Sequence, residues 1–129
     1  MGAYLSNPVI DKESEDGAGN GMRYGVSSMQ GWRVNMEDAH IVQPELMQGS
    51  GVGLYAVFDG HGGKEVAAFC AKYFPDEFRS VVSQGGSSAQ LQSMLPQLFH
   101  RMDAMLREEQ YACELQVLSK SKEDAAKTG

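Results

Sequence analysis

The distribution of apolar positions divides the chain into a polar beginning, a strand-like middle and a helical second half. Gly53-Leu54-Tyr55-Ala56-Val57-Phe58 is apolar at every position, which predicts a strand covered on both faces in the middle of a layered core. A second strand fits Ala39 to Gln43. An earlier one fits Arg23 to Met29, where Tyr24 and Val26 supply β character before an interruption at Gly31-Trp32. After Gly62-Gly63 the period changes. Val66, Cys70, Tyr73 and Phe74 recur three or four residues apart, as one face of a helix requires, and Pro75 interrupts it before Phe78, Val81 and Val82 form a second short turn on the same side. From Ala89 onward Leu91, Leu95, Leu98, Met102, Met105 and Leu106 form a second long stripe, with Pro96 near its first turn or at a kink.

The flanks read differently. Met1 to Gly21 is polar and turn-rich, and its glycines at 17, 19 and 21 lead into a strand-like run instead of opening a helix. A flexible lead-in is therefore expected there and a phosphate cradle is rejected. Beyond Leu118 the apolar positions stop, so Ser119 to Gly129 reads as a solvated helix end or loop. The expected organisation is a lead-in over 1–21, a packed unit of helices on a sheet over 22–118, and a polar tail or the start of an insertion over 119–129. The eight methionines, several on the second helix, read as core filler.

Composition narrows the chemistry. With 129 residues, 42% of them hydrophobic, the chain is one domain or part of one. A formal net charge of −6 speaks against nucleic-acid binding, which needs clustered Lys and Arg. Cys70 and Cys113 fit no metal or redox spacing and read as reduced thiols of a cytoplasmic protein. No run approaches the roughly 18 apolar residues of a membrane helix.

Two clusters carry candidate chemistry. In the first, Arg33 precedes Glu37 and Asp38 by four and five residues; a guanidinium fork is well suited to phosphate, although neighbouring surface charges are more often only solvated. The second, Asp59-Gly60-His61-Gly62-Gly63, directly follows the apolar strand. Its three glycines let main-chain carbonyls approach a ligand and leave a carboxylate and an imidazole as the ionisable groups. The plainer reading is an Asp-Gly turn with a bystander histidine. Carboxylate and carbonyl oxygens without thiolates suit magnesium or manganese, and two such ions can serve phosphate hydrolysis, with His61 as proton donor.

The stretches from Arg23 through His40 and from Tyr55 through Gly63 resemble the first two signature motifs of the metal-dependent type 2C serine/threonine protein phosphatases, and Met1 to Pro8 is similar to the start of eukaryotic alpha-type members. The resemblance implies an α+β fold, the N-terminal part of a four-layer α-β-β-α sandwich with antiparallel sheets. It implies hydrolysis of phosphoserine and phosphothreonine in protein substrates with two Mg or Mn ions. Asp59 would bridge the ions, Gly60 would offer its carbonyl, and Glu37 and Asp38 would complete or support that shell. Arg33 would bind the substrate phosphate and His61 would act as general acid.

The family's later motifs, with two further metal-binding aspartates, have no counterpart before Gly129, and Leu115 to Gly129 matches nothing in the family pattern. The expectation is an isolated chain without useful activity that supplies the first half of an active site. The alternative is a noncatalytic phosphate-binding, metal-binding or scaffold piece that pairs with another chain. Self-association is expected of a strand needing cover that the visible helices supply on one face only. Met1-Gly2-Ala3-Tyr4-Leu5-Ser6 fits the acceptor pattern for N-myristoylation at Gly2, implying weak, reversible membrane contact because no polybasic second signal follows.

Overall fold

A computed structural model describes residues 3–120. Gly2, the candidate acceptor, lies outside the described residues. Two antiparallel strand pairs come first and helices follow: β1 (Tyr4–Gly19), β2 (Met22–Arg33), β3 (Ala39–Gln43), β4 (Leu54–Phe58), α1 (Glu65–Ser83), α2 (Ser88–Leu106), a 3-10 turn (Glu109–Tyr111) and α3 (Ala112–Lys120). This is the α+β arrangement with antiparallel sheets that the resemblance implies.

The largest correction is at the N-terminus. The expected flexible lead-in is a long strand, β1, paired with β2 from Gly19 opposite Met22 back to Tyr4 opposite Arg33. The turn between them is Asn20-Gly21, with φ of 55° and 76°. Both residues sit in the left-handed region that a two-residue hairpin turn requires, so the Asn-Gly pair is the signal the polar composition obscured. Cross-strand bonding such as Ser14 Oγ to Ser27 Oγ at 2.8 Å satisfies polar side chains of a ribbon with little burial. The interruption expected at Gly31-Trp32 is a bulge instead of a strand end. Gly31 takes φ 67°, the register shifts on either side of Val9, its partner, and β2 continues to Arg33.

Strand β4 also departs from expectation. Leu54 is buried, but Val57 is 72% exposed and Tyr55 is 39% exposed, so one face of the strand is covered and not both. The helices lie on the Leu54, Ala56 and Phe58 side, where Phe69, Phe74, Leu98, Met102 and Met105 complete the core. The hairpin reaches the opposite face at Tyr24, whose ring lies 5.9 Å from that of Tyr55. An opening of about 260 Å³ remains between β2 and β3–β4, bordered by Val26, His40 and Val57.

Pro75 does not end the first helix. It lies buried inside α1, which runs unbroken to Ser83; its missing amide costs one hydrogen bond, and Phe74 and Phe78, with centroids 6.3 Å apart, anchor the turns on either side of it in the core. Pro96 likewise lies inside α2, beyond its first turn. That helix starts at a capping box: Gln90 N donates to Ser87 Oγ at 3.3 Å, and Ser87 N donates to Gln90 Oε1 at 2.7 Å. Two methionines read as filler, Met102 and Met105, are 3% and 1% exposed.

Candidate active site

Residues at the two clusters meet because of strand pairing. Ala39 opens β3 and pairs with Phe58, which closes β4. Glu37-Asp38 therefore enters the sheet at the end where Asp59-Gly60 leaves it. The closest approach is main chain: a Cβ added at Gly60 would stand 2.3 Å from the Glu37 carbonyl oxygen and 3.3 Å from Ala67 Cβ. Only glycine fits there without moving the Glu37 backbone or the first turns of α1. Gly62 and Gly63, at φ 69° and 139°, then turn the chain from the strand into α1. Gly63 has its own close neighbour, since a Cβ there would lie 2.3 Å from Glu65 Oε2. The Glu65 carboxylate thus folds back over the loop from the first turn of the helix.

Glu37 is half-buried, whereas Arg33, Asp38, Asp59 and His61 are exposed. Arg33 ends β2, and the Gln30 side chain fixes the exit from that strand by donating to the carbonyls of Arg33 and Val34 at 2.9 and 3.0 Å. Among the described residues no side-chain hydrogen bond or ion pair joins Arg33, Glu37, Asp38, Asp59 and His61 to one another, and no three His, Cys, Asp or Glu side chains converge as metal ligands. What is assembled is a pair of carboxylate-bearing chain segments held together through Gly60, with the main chain of Gly60 directly against that of Glu37. Carboxylate and carbonyl oxygens are the donors that a hard divalent ion takes, while the glycine at 60 is required by the Glu37 main chain beside it.

Beside these segments lies a broad cleft of about 910 Å³. Its walls include Glu37, Asp38 and His40, then Gly63, Lys64 and Glu65 at the start of α1, Asp11 to Glu13 of β1, and Leu118 and Ser119 of α3. Sequence reasoning missed Lys64, Glu65 and the β1 contribution. Glu65 could have been found as the acid in the first turn of a helix that follows a glycine pair. The β1 residues could be placed only once β1 was recognised as a strand.

Of the two free cysteines, Cys113 is exposed and Cys70, on α1, is half-buried. Burial, then the nearby Asp103 carboxylate, pushes its thiol pKa up, which disfavours the thiolate. It also packs against the helical core and is not among the cleft residues.

Comparison with known proteins gives the same direction. The Protein phosphatase 2C family profile matches residues 22–123, running past Leu115, where the likeness read from the motifs stopped. The chain is 47% identical to "Probable protein phosphatase 2C 11" of Oryza sativa subsp. japonica over 107 residues, 83% of this chain and 28% of that protein. It is 45% identical to "Protein phosphatase 1G" of Bos taurus over 128 residues, 96% of this chain and 23% of that protein. A third relative, "Probable protein phosphatase 2C 21" of Arabidopsis thaliana, is 43% identical over 118 residues, 92% of this chain and 32% of that protein. The chain thus spans about a quarter to a third of the length of these relatives. With the profile covering most of its residues and both motif segments meeting at one end of the β3–β4 pair, the chain belongs to the protein phosphatase 2C family.

Proposed function

We propose that these residues supply the first half of the active site of a metal-dependent phosphatase acting on phosphoserine and phosphothreonine in proteins. The single observation that carries the reading is the contact of Gly60 with the Glu37 main chain, which joins the two carboxylate segments at one strand end. Asp59, the Gly60 carbonyl, Glu37 and Asp38 would hold two Mg or Mn ions. When bound, such ions acidify water and neutralise charge on phosphoryl oxygens. Arg33 grips the substrate phosphate with two parallel N–H donors. His61, exposed beside Asp59, gives its proton to the seryl or threonyl oxygen as the P–O bond to that oxygen breaks. Water, and not a protein side chain, attacks phosphorus as that bond breaks, so no phosphoenzyme is formed. The remaining metal ligands come from outside these residues, so the 129-residue chain alone is inactive.

The test uses a chain of the relatives' length. Asp59→Asn removes charge while keeping shape, so phosphate release from a phosphothreonine peptide falls to background while the unfolding midpoint stays close to that of the parent. His61→Gln lowers turnover of the phosphopeptide by about 10²–10⁴-fold and spares an aryl phosphate, whose leaving group needs no proton. Equal losses on both substrates would remove His61 from the acid role. Retained activity in Asp59→Asn would remove the metal reading.

The same proposal places the protein in the cytoplasm with reversible membrane contact through a myristoyl group on Gly2. Mass spectrometry of protein from its native cell, showing a free or acetylated Gly2, would overturn the lipid part alone.

A further inference from the structure

Helix α3 is held differently from the rest of the helical layer. Neither it nor the 3-10 turn before it contains a buried residue, whereas α1 and α2 each bury several. Its apolar hold is partial: Tyr111 sets its ring 5.2 Å from Phe69 and 5.1 Å from Tyr73, and Leu115 and Leu118 rest against the core edge. Two of its polar contacts meet at one carboxylate, because Glu114 accepts from both the Lys72 ammonium and the Tyr73 hydroxyl on α1. Lys72 also lies 5.1 Å from the centre of the Tyr73 ring, so the three side chains form one clasp.

With no buried residue of its own, α3 leans on these contacts with α1. An element with so little burial is where local opening is cheapest. The far end of α3 has a specific place: Leu118 and Ser119 form part of the wall of the cleft that also carries Glu37, Asp38 and Glu65. We propose that α3 is a strap that closes one side of this cleft, held shut through Glu114, and that its release opens the cleft while α1 and α2 stay folded.

The proposal stands apart from the phosphatase reading, since it is tested on the 129-residue chain with no metal or substrate present. Glu114→Lys sets a second cation against Lys72. Amide exchange across residues 112–120 then speeds by about tenfold or more, and carbodiimide-driven labelling of Glu37 and Glu65, both half-buried, rises severalfold, with exchange in α2 unchanged. The swapped pair Lys72→Glu with Glu114→Lys restores slow exchange and low labelling. Unchanged exchange at 112–120 would overturn the clasp. Faster exchange there without added labelling would overturn the cleft wall, and parallel loosening of α2 would show general unfolding in place of a strap.

Discussion

Gly60 lies directly against the carbonyl of Glu37: a Cβ at position 60 would stand 2.3 Å from that oxygen and 3.1 Å from its carbon. The obstacle is backbone, which cannot swing aside as a side-chain tip can. Gly60→Ala should therefore destabilise by about 1–3 kcal/mol, the usual cost of overpacking, and should part the two carboxylate segments. Gly25→Ala is the matched control, since its nearest neighbour is Asp16 Cβ at 4.0 Å. Urea unfolding of both variants checks this; a loss at Gly60 below about 0.5 kcal/mol would mean that the Glu37 segment is not fixed.

The hairpin turn offers a glycine with the opposite reason for being there. Gly21 has nothing within 4 Å of where a Cβ would stand, but its φ is +76°. Gly21→Ala should thus cost about 1–2 kcal/mol purely through the left-handed backbone, with loss of exchange protection along β1 and β2 and little change in the helices. Equal protection loss in α1 and α2 would show that the hairpin and the helical body unfold as one unit.

How far the sequence was legible follows from which forces dominate at each place. The positions of β3, β4 and the helical stripes were readable because burial sets their pattern, though the one-sided cover of β4 was not, and Glu37-Asp38 and Asp59-Gly60-His61 stood out by residue type at the ends of those strands. Strand β1 was not readable, because its order comes from backbone pairing and the Asn20-Gly21 turn, which leave no apolar period in Asp11 to Asp16. Pro75 misled because local propensity argues for a break while Phe74 and Phe78 hold both sides in the core. Gly60 was legible as a glycine with a purpose, but its partner was not: contact with Glu37 follows from the pairing of Ala39 with Phe58, a long-range register that no local pattern announces.

The Glu114 clasp makes the docking of α3 pH-dependent at both ends. Glu114 is held below its ordinary 4.5, first by Lys72 and then by Tyr73. A lowered carboxyl contributes stability above 4.5 and loses it as pH falls through the folded value. Lys72 and Tyr73 are both pushed up, from 10.5 and 10.0, chiefly by hydrogen bonding to Glu114. Their contributions are full below those values and lost as pH rises through the folded ones. A carboxyl-carbon NMR titration should give Glu114 a midpoint below 4.5 that moves up in Lys72→Met. A midpoint unmoved by that substitution would mean that the pair is too loose in solution to couple.

The exposed face of β4 predicts the solution behaviour of the isolated chain. Val57 at 72% and Tyr55 at 39% exposure stand on the side away from the helices, next to the apolar opening that Tyr24 and Val26 of the hairpin border. Each two-stranded sheet also ends in unpaired strand edges among the described residues, and such edges pair with other chains unless blocked. The 129-residue chain should therefore associate in a concentration-dependent way, by covering this face with a second copy. Val57→Lys places a charge at the centre of the patch without touching the helical core, so it should shift sedimentation toward monomer while the unfolding midpoint stays within about 0.5 kcal/mol of the parent chain. Association undiminished in Val57→Lys would move the interface from the sheet face to the strand edges, and a parent chain that sediments as a monomer across the whole concentration range would mean that the hairpin already shields this face in solution.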